Sequence, residues 1–200
     1  MQVRAVVFDI GGVLEDTPPI GVVGKWEAAL RLRPGELNAR LGGVWRAGEI
    51  GAISEAEVRA RTALVLQLDD VQVEAFMHDI WTEYLGTLNT ELATYFGGLR
   101  PRYRTALLSN SFVGAREREQ ERYGFGDITD LIVYSHEVGA AKPDPRIYRL
   151  TCAKLGVRPG QVVFLDDRAD FVAGALETGM RAILYEDNYQ AIADLDDALR

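Results

Sequence analysis

The chain has one cysteine, Cys152, so it can close no internal disulfide. In the helical stretch RLTCAKLG this thiol is expected as a small buried apolar side chain. Histidine is almost as scarce. His78 and His136 have no second histidine or cysteine at ligand spacing, so both read as structural residues rather than metal ligands. Positive charge is the minority: 22 Lys and Arg against 30 Asp and Glu leave a net charge of −8. No basic cluster is dense enough to offer a nucleic-acid surface. The run REREQER at 116–122 mixes both signs and is expected as a solvated helix face. Long apolar runs are missing too, which argues against a membrane partner. MQVRAVVF is too short for a signal peptide and is followed by Asp9. A reducing cytoplasm is the expected compartment. No internal repeat or low-complexity segment is present.

What is present suits one substantial core: 200 residues, 48% hydrophobic and 26% charged. Four short apolar runs read as buried parallel strands: 3–8 (VRAVVF), 104–109 (RTALLS), 161–165 (QVVFL) and 181–185 (RAILY), with 131–135 (LIVYS) as a weaker fifth. Helical stretches lie between them. One starts at Pro145 behind Asp144 as N-cap and stops at Gly156; another, ADFVAGALE, stops at Gly179. This alternation predicts an α/β fold with a Rossmann-like, open, parallel sheet. Residues 17–90 break the pattern. KWEAALRL, SEAEVRARTALVLQL and DDVQVEAFMHDIWTEYL have helical period, Ser54 and Glu57 form a capping box, and no convincing strand is seen. The expected organisation is therefore a core of 1–16 and 91–200 interrupted by an all-helical cap at 17–90. Thr90 is expected to cap the helix that returns the chain to the core. Gly42, Gly43, Gly48 and Gly51 suggest a mobile or substrate-facing loop in the cap. Trp26, Trp45 and Trp81 suit a small core better than a pocket, and Arg46 reads as a solvated side chain.

In a parallel sheet the carboxyl ends of neighbouring strands share one crevice. Asp9 ends the first strand, Ser109 and Asn110 the second, and Asp166 and Asp167 the fourth; Lys142 follows the third, in GAAKPDP. Each alone reads as a turn or cap residue. Together they are two or three carboxylates, one cation and neutral donors. Carboxylates this close need a positive partner, and Mg²⁺ suits one or two of them plus a substrate phosphate. Asp9 and Asp167 are the expected ligands, with Asp166 as an additional or water-mediated partner. An aspartate so placed can attack phosphorus. Lys142, the Ser109 hydroxyl and the Asn110 amide would then stabilise the phosphoryl oxygens.

FDIGGVL, LLSN, the Lys142-Pro143 pair of AKPDPRIY, and FLDDRADFVAGA together resemble the motifs of the haloacid dehalogenase superfamily of hydrolases, in order and over nearly the whole chain. The resemblance implies Mg²⁺, Asp9 as nucleophile, the Gly11 carbonyl in the metal shell, and Asp167 as the metal acid with Asp166 beside it. Most phosphatases of that family carry a second aspartate at the place of Gly11, as general acid and base. Glu15 and Asp16 are candidate replacements, although a solvated hinge is the plainer role for both. Phe171 stands where an asparagine often follows the acidic pair and is expected to pack in the core. The leading expectation is a Mg²⁺-dependent phosphatase of a small phosphorylated metabolite, monomeric or weakly dimeric. A 2-haloacid dehalogenase, and a phosphate- or partner-binding protein with weak turnover, remain alternatives. A signalling receiver domain is excluded by the order of its acids along the strands.

Overall fold

The computed structural model describes residues 2–200. In chain order the elements are β1 (Ala5–Phe8), β2 (Glu15–Asp16), α1 (Val22–Ala29), α2 (Glu36–Glu49), α3 (Glu55–Leu66), α4 (Asp70–Leu85), β3 (Thr87–Leu88), α5 (Thr90–Gly98), β4 (Arg104–Ser109), α6 (Ala115–Tyr123), α7 (Phe125–Ile128), β5 (Leu131–Tyr134), α8 (Ser135–Val138), α9 (Pro145–Leu155), β6 (Val162–Asp166), α10 (Ala169–Glu177), β7 (Arg181–Leu184) and α11 (Asn188–Leu199). Five strands form one parallel sheet in the order β5-β4-β1-β6-β7. Its central strands are buried on both faces, which is why they read as unbroken apolar runs rather than alternating ones.

Alternate side chains still separate into two layers. Val6, Phe8, Leu107, Val163 and Leu165 face Leu92 and Phe96 of α5 and Ala191 and Leu195 of α11. Ala5, Val7, Ala106, Leu108 and Phe164 face Ile147, Tyr148, Cys152 and Leu155 of α9. Cys152 is buried, as its helical setting implies. No helix is long and apolar enough to cross a membrane among the described residues.

Helices α1 to α4 enclose an apolar cluster of their own around Leu41, Val58 and Phe76. The Ser54–Glu57 capping box forms, and Asp69 with Gln72 makes a second one at α4. Trp26 and Trp81 are buried, whereas Trp45 keeps part of its surface open. A short antiparallel ribbon closes the neck, Glu15 opposite Leu88 and Asp16 opposite Thr87. The strand Thr87–Leu88 lies in the stretch expected to be wholly helical. Its two residues are too few to leave a periodic signal.

Three further expectations change. Gly42, Gly43 and Gly48 lie inside α2, not in a loop, because Leu37, Leu41 and Val44 supply a buried helical stripe that outweighs glycine's low propensity. Gly48 and Gly51 mark close approaches instead: a Cβ on Gly48 would meet the Phe112 ring at 2.4 Å, and one on Gly51 the His136 carbonyl oxygen at 1.8 Å. The N-cap of α5 is Asn89, not Thr90; the Asn89 Oδ1 accepts from the Leu92 N–H. The run at 116–122 is not wholly solvated either. Glu119 is fully buried and accepts hydrogen bonds from the hydroxyls of Tyr134 and Tyr84.

Gly51 has φ +65° as well as no room for a methyl group. Gly51→Ala should therefore cost more than about 1 kcal/mol, read as a lower melting temperature by circular dichroism. An unchanged melting temperature would show that the seam between the α2 end and α8, which carries His136, gives way freely.

Candidate active site

The strand-end residues meet at one crevice of about 550 Å³, lined by Asp9, Gly11, Gly12, Ser109, Asn110 and Asp167 among others. Lys142 is the hub. Its buried ammonium lies 2.7 Å from Asp9 Oδ1 and 2.6 Å from Asp166 Oδ2. The Lys142 backbone is clamped from β4: its N–H donates to Asn110 Oδ1 at 2.7 Å, and its carbonyl accepts from Asn110 Nδ2 at 2.9 Å. The Asn110 side chain is thus spent on holding the lysine. Ser109, at the end of β4, is buried beside it.

The three acids differ in what their oxygens do. Asp9 Oδ1 accepts from Lys142 and from the Ile10 N–H at 2.8 Å, so Oδ2 carries no hydrogen bond among the described residues. Asp166 is engaged on both oxygens, by Lys142 and by the Arg168 N–H at 2.9 Å. Asp167 is the exposed member. Carboxylate oxygens of Asp9, Asp166 and Asp167 can all lie within 4.8 Å of one another. Burial is the main force raising the pKa of each. The Asp9 charge adds to the rise at Asp166, to about 7, and the Asp166 charge adds to that at Asp167. One ammonium among three carboxyls leaves room for further positive charge, the donor set a hard divalent cation prefers.

The two glycines after Asp9 are unlike each other. Gly12 has φ +76°, and a Cβ there would sit 2.3 Å from Asp167 Oδ2, so only glycine lets the acid approach the loop. A Cβ on Gly11 would meet nothing within 4 Å. Space does not require its lack of a side chain.

Of the two acids suggested as replacements, Asp16 is exposed, while Glu15 is buried and lines the crevice. Glu15 Oε1 has no hydrogen-bond partner among the described residues. Burial, with the nearby charges of Glu119 and Asp9, pushes its pKa to about 9. Glu119 itself is raised to about 7, chiefly by burial. The Glu15–Glu119–Tyr84–Tyr134 group was invisible as such in the sequence. The one available signal was the i, i+4 register of Ala115 and Glu119, which puts both on the buried side of α6. His136 is not idle: its Nδ1 lies 2.7 Å from the Ser111 hydroxyl, next to the site loop. Phe171 is buried, as expected, and Lys142 lies 4.9 Å from its ring centre.

Residues 3–179 match the family model of haloacid dehalogenase-like hydrolases. A phosphatase of Mycobacterium tuberculosis is 39% identical over 80 residues, 40% of this chain and 37% of that protein. An N-acetylmuramic acid 6-phosphate phosphatase of Pseudomonas aeruginosa is 28% identical over 87% of this chain and 78% of its own length. The chain spans only 12% to 37% of the length of three curated relatives, the Mycobacterium phosphatase among them. A HAD family enzyme of Bacteroides thetaiotaomicron, solved with magnesium and inorganic phosphate, superposes with a TM-score of 0.81 at 22% identity, covering 95% of this chain and 98% of its own.

Glu15 generates a prediction about stability. Folded, it keeps its proton up to about pH 9; unfolded, it ionises above the ordinary 4.5. Folding therefore takes up a proton between those values, and stability falls as pH rises through them. Glu15→Gln should raise the melting temperature at pH 8, with the gain shrinking toward pH 5 in a pH series of thermal unfolding. A gain that does not vary with pH would contradict the buried neutral carboxyl.

Proposed function

Because this chain belongs to the haloacid dehalogenase-like hydrolases, we propose that it is a Mg²⁺-dependent phosphatase of a small phosphorylated metabolite, working through an aspartyl-phosphate on Asp9. The observation that carries this reading is the cluster of buried Asp9 and Asp166, paired to the single ammonium of Lys142, with exposed Asp167 close by. Carbon–halogen displacement would need the nucleophile and the lysine but not the surplus negative charge. Asp9, Asp167 and the Gly11 carbonyl are the groups that would hold Mg²⁺, with Asp166 completing the charge of the set behind Lys142. When bound, the ion neutralises carboxylate and phosphoryl charge. Phosphatase names among the relatives support the same chemistry.

Asp9 Oδ2 is the oxygen left to attack phosphorus. Its bond to phosphorus forms as the bond from phosphorus to the leaving oxygen breaks, and the electron pair stays on that oxygen. Water then adds to phosphorus and loses a proton. The bond to Asp9 breaks, inorganic phosphate leaves, and the carboxylate is restored. Lys142 opposes the rise that burial imposes on the Asp9 pKa and then faces the phosphoryl oxygens. The Ser109 hydroxyl and the Asn110 backbone N–H donate to oxygens whose charge grows in the transition state. Glu49 at the end of α2 and Ile80, Glu83 and Tyr84 of α4 wall the crevice, which favours small substrates.

Asp9→Asn should lower kcat for p-nitrophenyl phosphate by at least about a thousandfold, with circular dichroism unchanged; retained turnover would remove Asp9 as nucleophile. Gly11→Asp introduces a carboxyl into open space. It should raise kcat on alkyl phosphates by about 10²-fold, the scale of general acid help, measured as phosphate release. No gain would mean that protonation of the leaving oxygen is not limiting.

A further inference from the structure

A second cavity, of about 240 Å³, opens beside the crevice that holds Asp9, and both are lined by Glu49, Ile80, Tyr84 and Asn110. Its walls come from three elements: Trp45 on α2, Ile80, Trp81 and Tyr84 on α4, and Phe112 in the loop after β4. The Phe112 ring stands edge-on to Trp45 at 5.7 Å and to Trp81 at 6.1 Å. It fits there because Gly48 has no side chain. Trp45, Ile80, Tyr84 and Phe112 are each only partly buried. They leave apolar surface open in a recess that no Lys or Arg lines and where Glu49 is the sole ionisable acid. Burial raises the pKa of Glu49, and its carboxyl has no hydrogen-bond or ion-pair partner among the described residues.

These walls select a ligand. A carboxylate or second phosphate entering here would meet Glu49 and no lining Lys or Arg, because Arg168, the cation that acts on Glu49, lines the neighbouring crevice instead. A polyol would give up water for a lining that is mainly apolar, with Asn38, Asn110, Ser111 and Glu49 among its few polar groups. A flat apolar ring would gain buried area and edge-to-face contacts with Trp45 and Phe112. A separate observation points the same way. Gly11 presents no carboxyl to the leaving oxygen although there is room for one. A phenol ionises near pH 10, far more easily than an aliphatic alcohol, which is closer to water at about 15.7. A phenolate can depart without a proton donor; an alkoxide needs one.

We propose that the substrate is a small aryl phosphate whose phosphoryl group lies at Asp9 while its ring fills the recess of Trp45, Ile80, Trp81 and Phe112. The proposal rests on the phosphatase reading and names its substrate class. Hydrolysis would transfer the phosphoryl group to Asp9 and release the phenolate, which takes a proton from water.

The test separates binding from turnover. By calorimetry with Mg²⁺, the non-hydrolysable phenylphosphonate should bind at least about tenfold more tightly than methylphosphonate, the scale of burying one ring. Trp45→Ala should bring that ratio close to one. Phe112→Ala, at a second partly exposed position, provides the same readout should the first variant fail to fold. Phenyl phosphate should also show a KM at least about tenfold below that of glycerol phosphate. Equal affinities for the two phosphonates, or a ratio that survives both substitutions, would overturn the recess as a ring site. Release of phosphate from p-nitrophenyl phosphate is scored independently. If none is released while phenylphosphonate still binds selectively, the phosphatase reading falls and the recess stands.

Discussion

Everything at the carboxyl end of the sheet depends on one ammonium. Lys142 sits out of contact with water between Asp9 and Asp166, and the loop that carries it is pinned to β4 by the Asn110 side chain. Burying an ion pair is costly, and removing one member costs more, because the other charges then stand uncompensated. Here two carboxylates share the lysine and a third, Asp167, stands close by. The lysine therefore fixes the geometry of Asp9, the proposed nucleophile, and sets how much positive charge the site still lacks. Strands β1, β4 and β6 serve this arrangement by ending side by side, and their buried apolar faces give the ends little freedom to move apart.

The Gly11–Gly12 pair shows how a short loop divides tasks. Gly12 is held to glycine by its backbone conformation and by Asp167. Gly11 is under neither constraint, so its missing side chain has a chemical consequence, not a steric cause. On the proposed reading the leaving oxygen has no carboxyl in the usual place, and Glu15, whose pKa burial raises to about 9, is the only buried acid beside Asp9 along this loop. The aromatic recess next to the crevice then gains meaning, because a leaving group that fits it also has the least need of an acid.

The strand ends were readable in advance because they follow from topology. Once four apolar runs are recognised as parallel strands, Asp9, Ser109, Asn110, Asp166 and Asp167 must neighbour one another, and Lys142 falls in a loop on the same side. The cap helices were readable from period and from the Ser54–Glu57 capping box. Features that depend on packing between distant segments were not. Glu119 lies among alternating charges that disguise its burial against Tyr134, fifteen residues away. Gly48 and Gly51 looked like loop residues because Phe112 and His136, which their small size accommodates, lie more than sixty residues on. The recess brings Trp45, Trp81 and Phe112 together only through the seating of α2 and α4 over the loop after β4.

The central claim is that the surplus carboxylate charge gathered at Asp9, Asp166 and Asp167 serves phosphoryl transfer assisted by a divalent cation. Phosphate release from p-nitrophenyl phosphate, measured with Mg²⁺, after chelation and after Mg²⁺ is restored, tests it most directly. The account predicts release with Mg²⁺, loss of release on chelation, and recovery when the ion is returned. Halide release from a 2-haloacid that persists in the chelator, with no phosphate released under any of the three conditions, would contradict it.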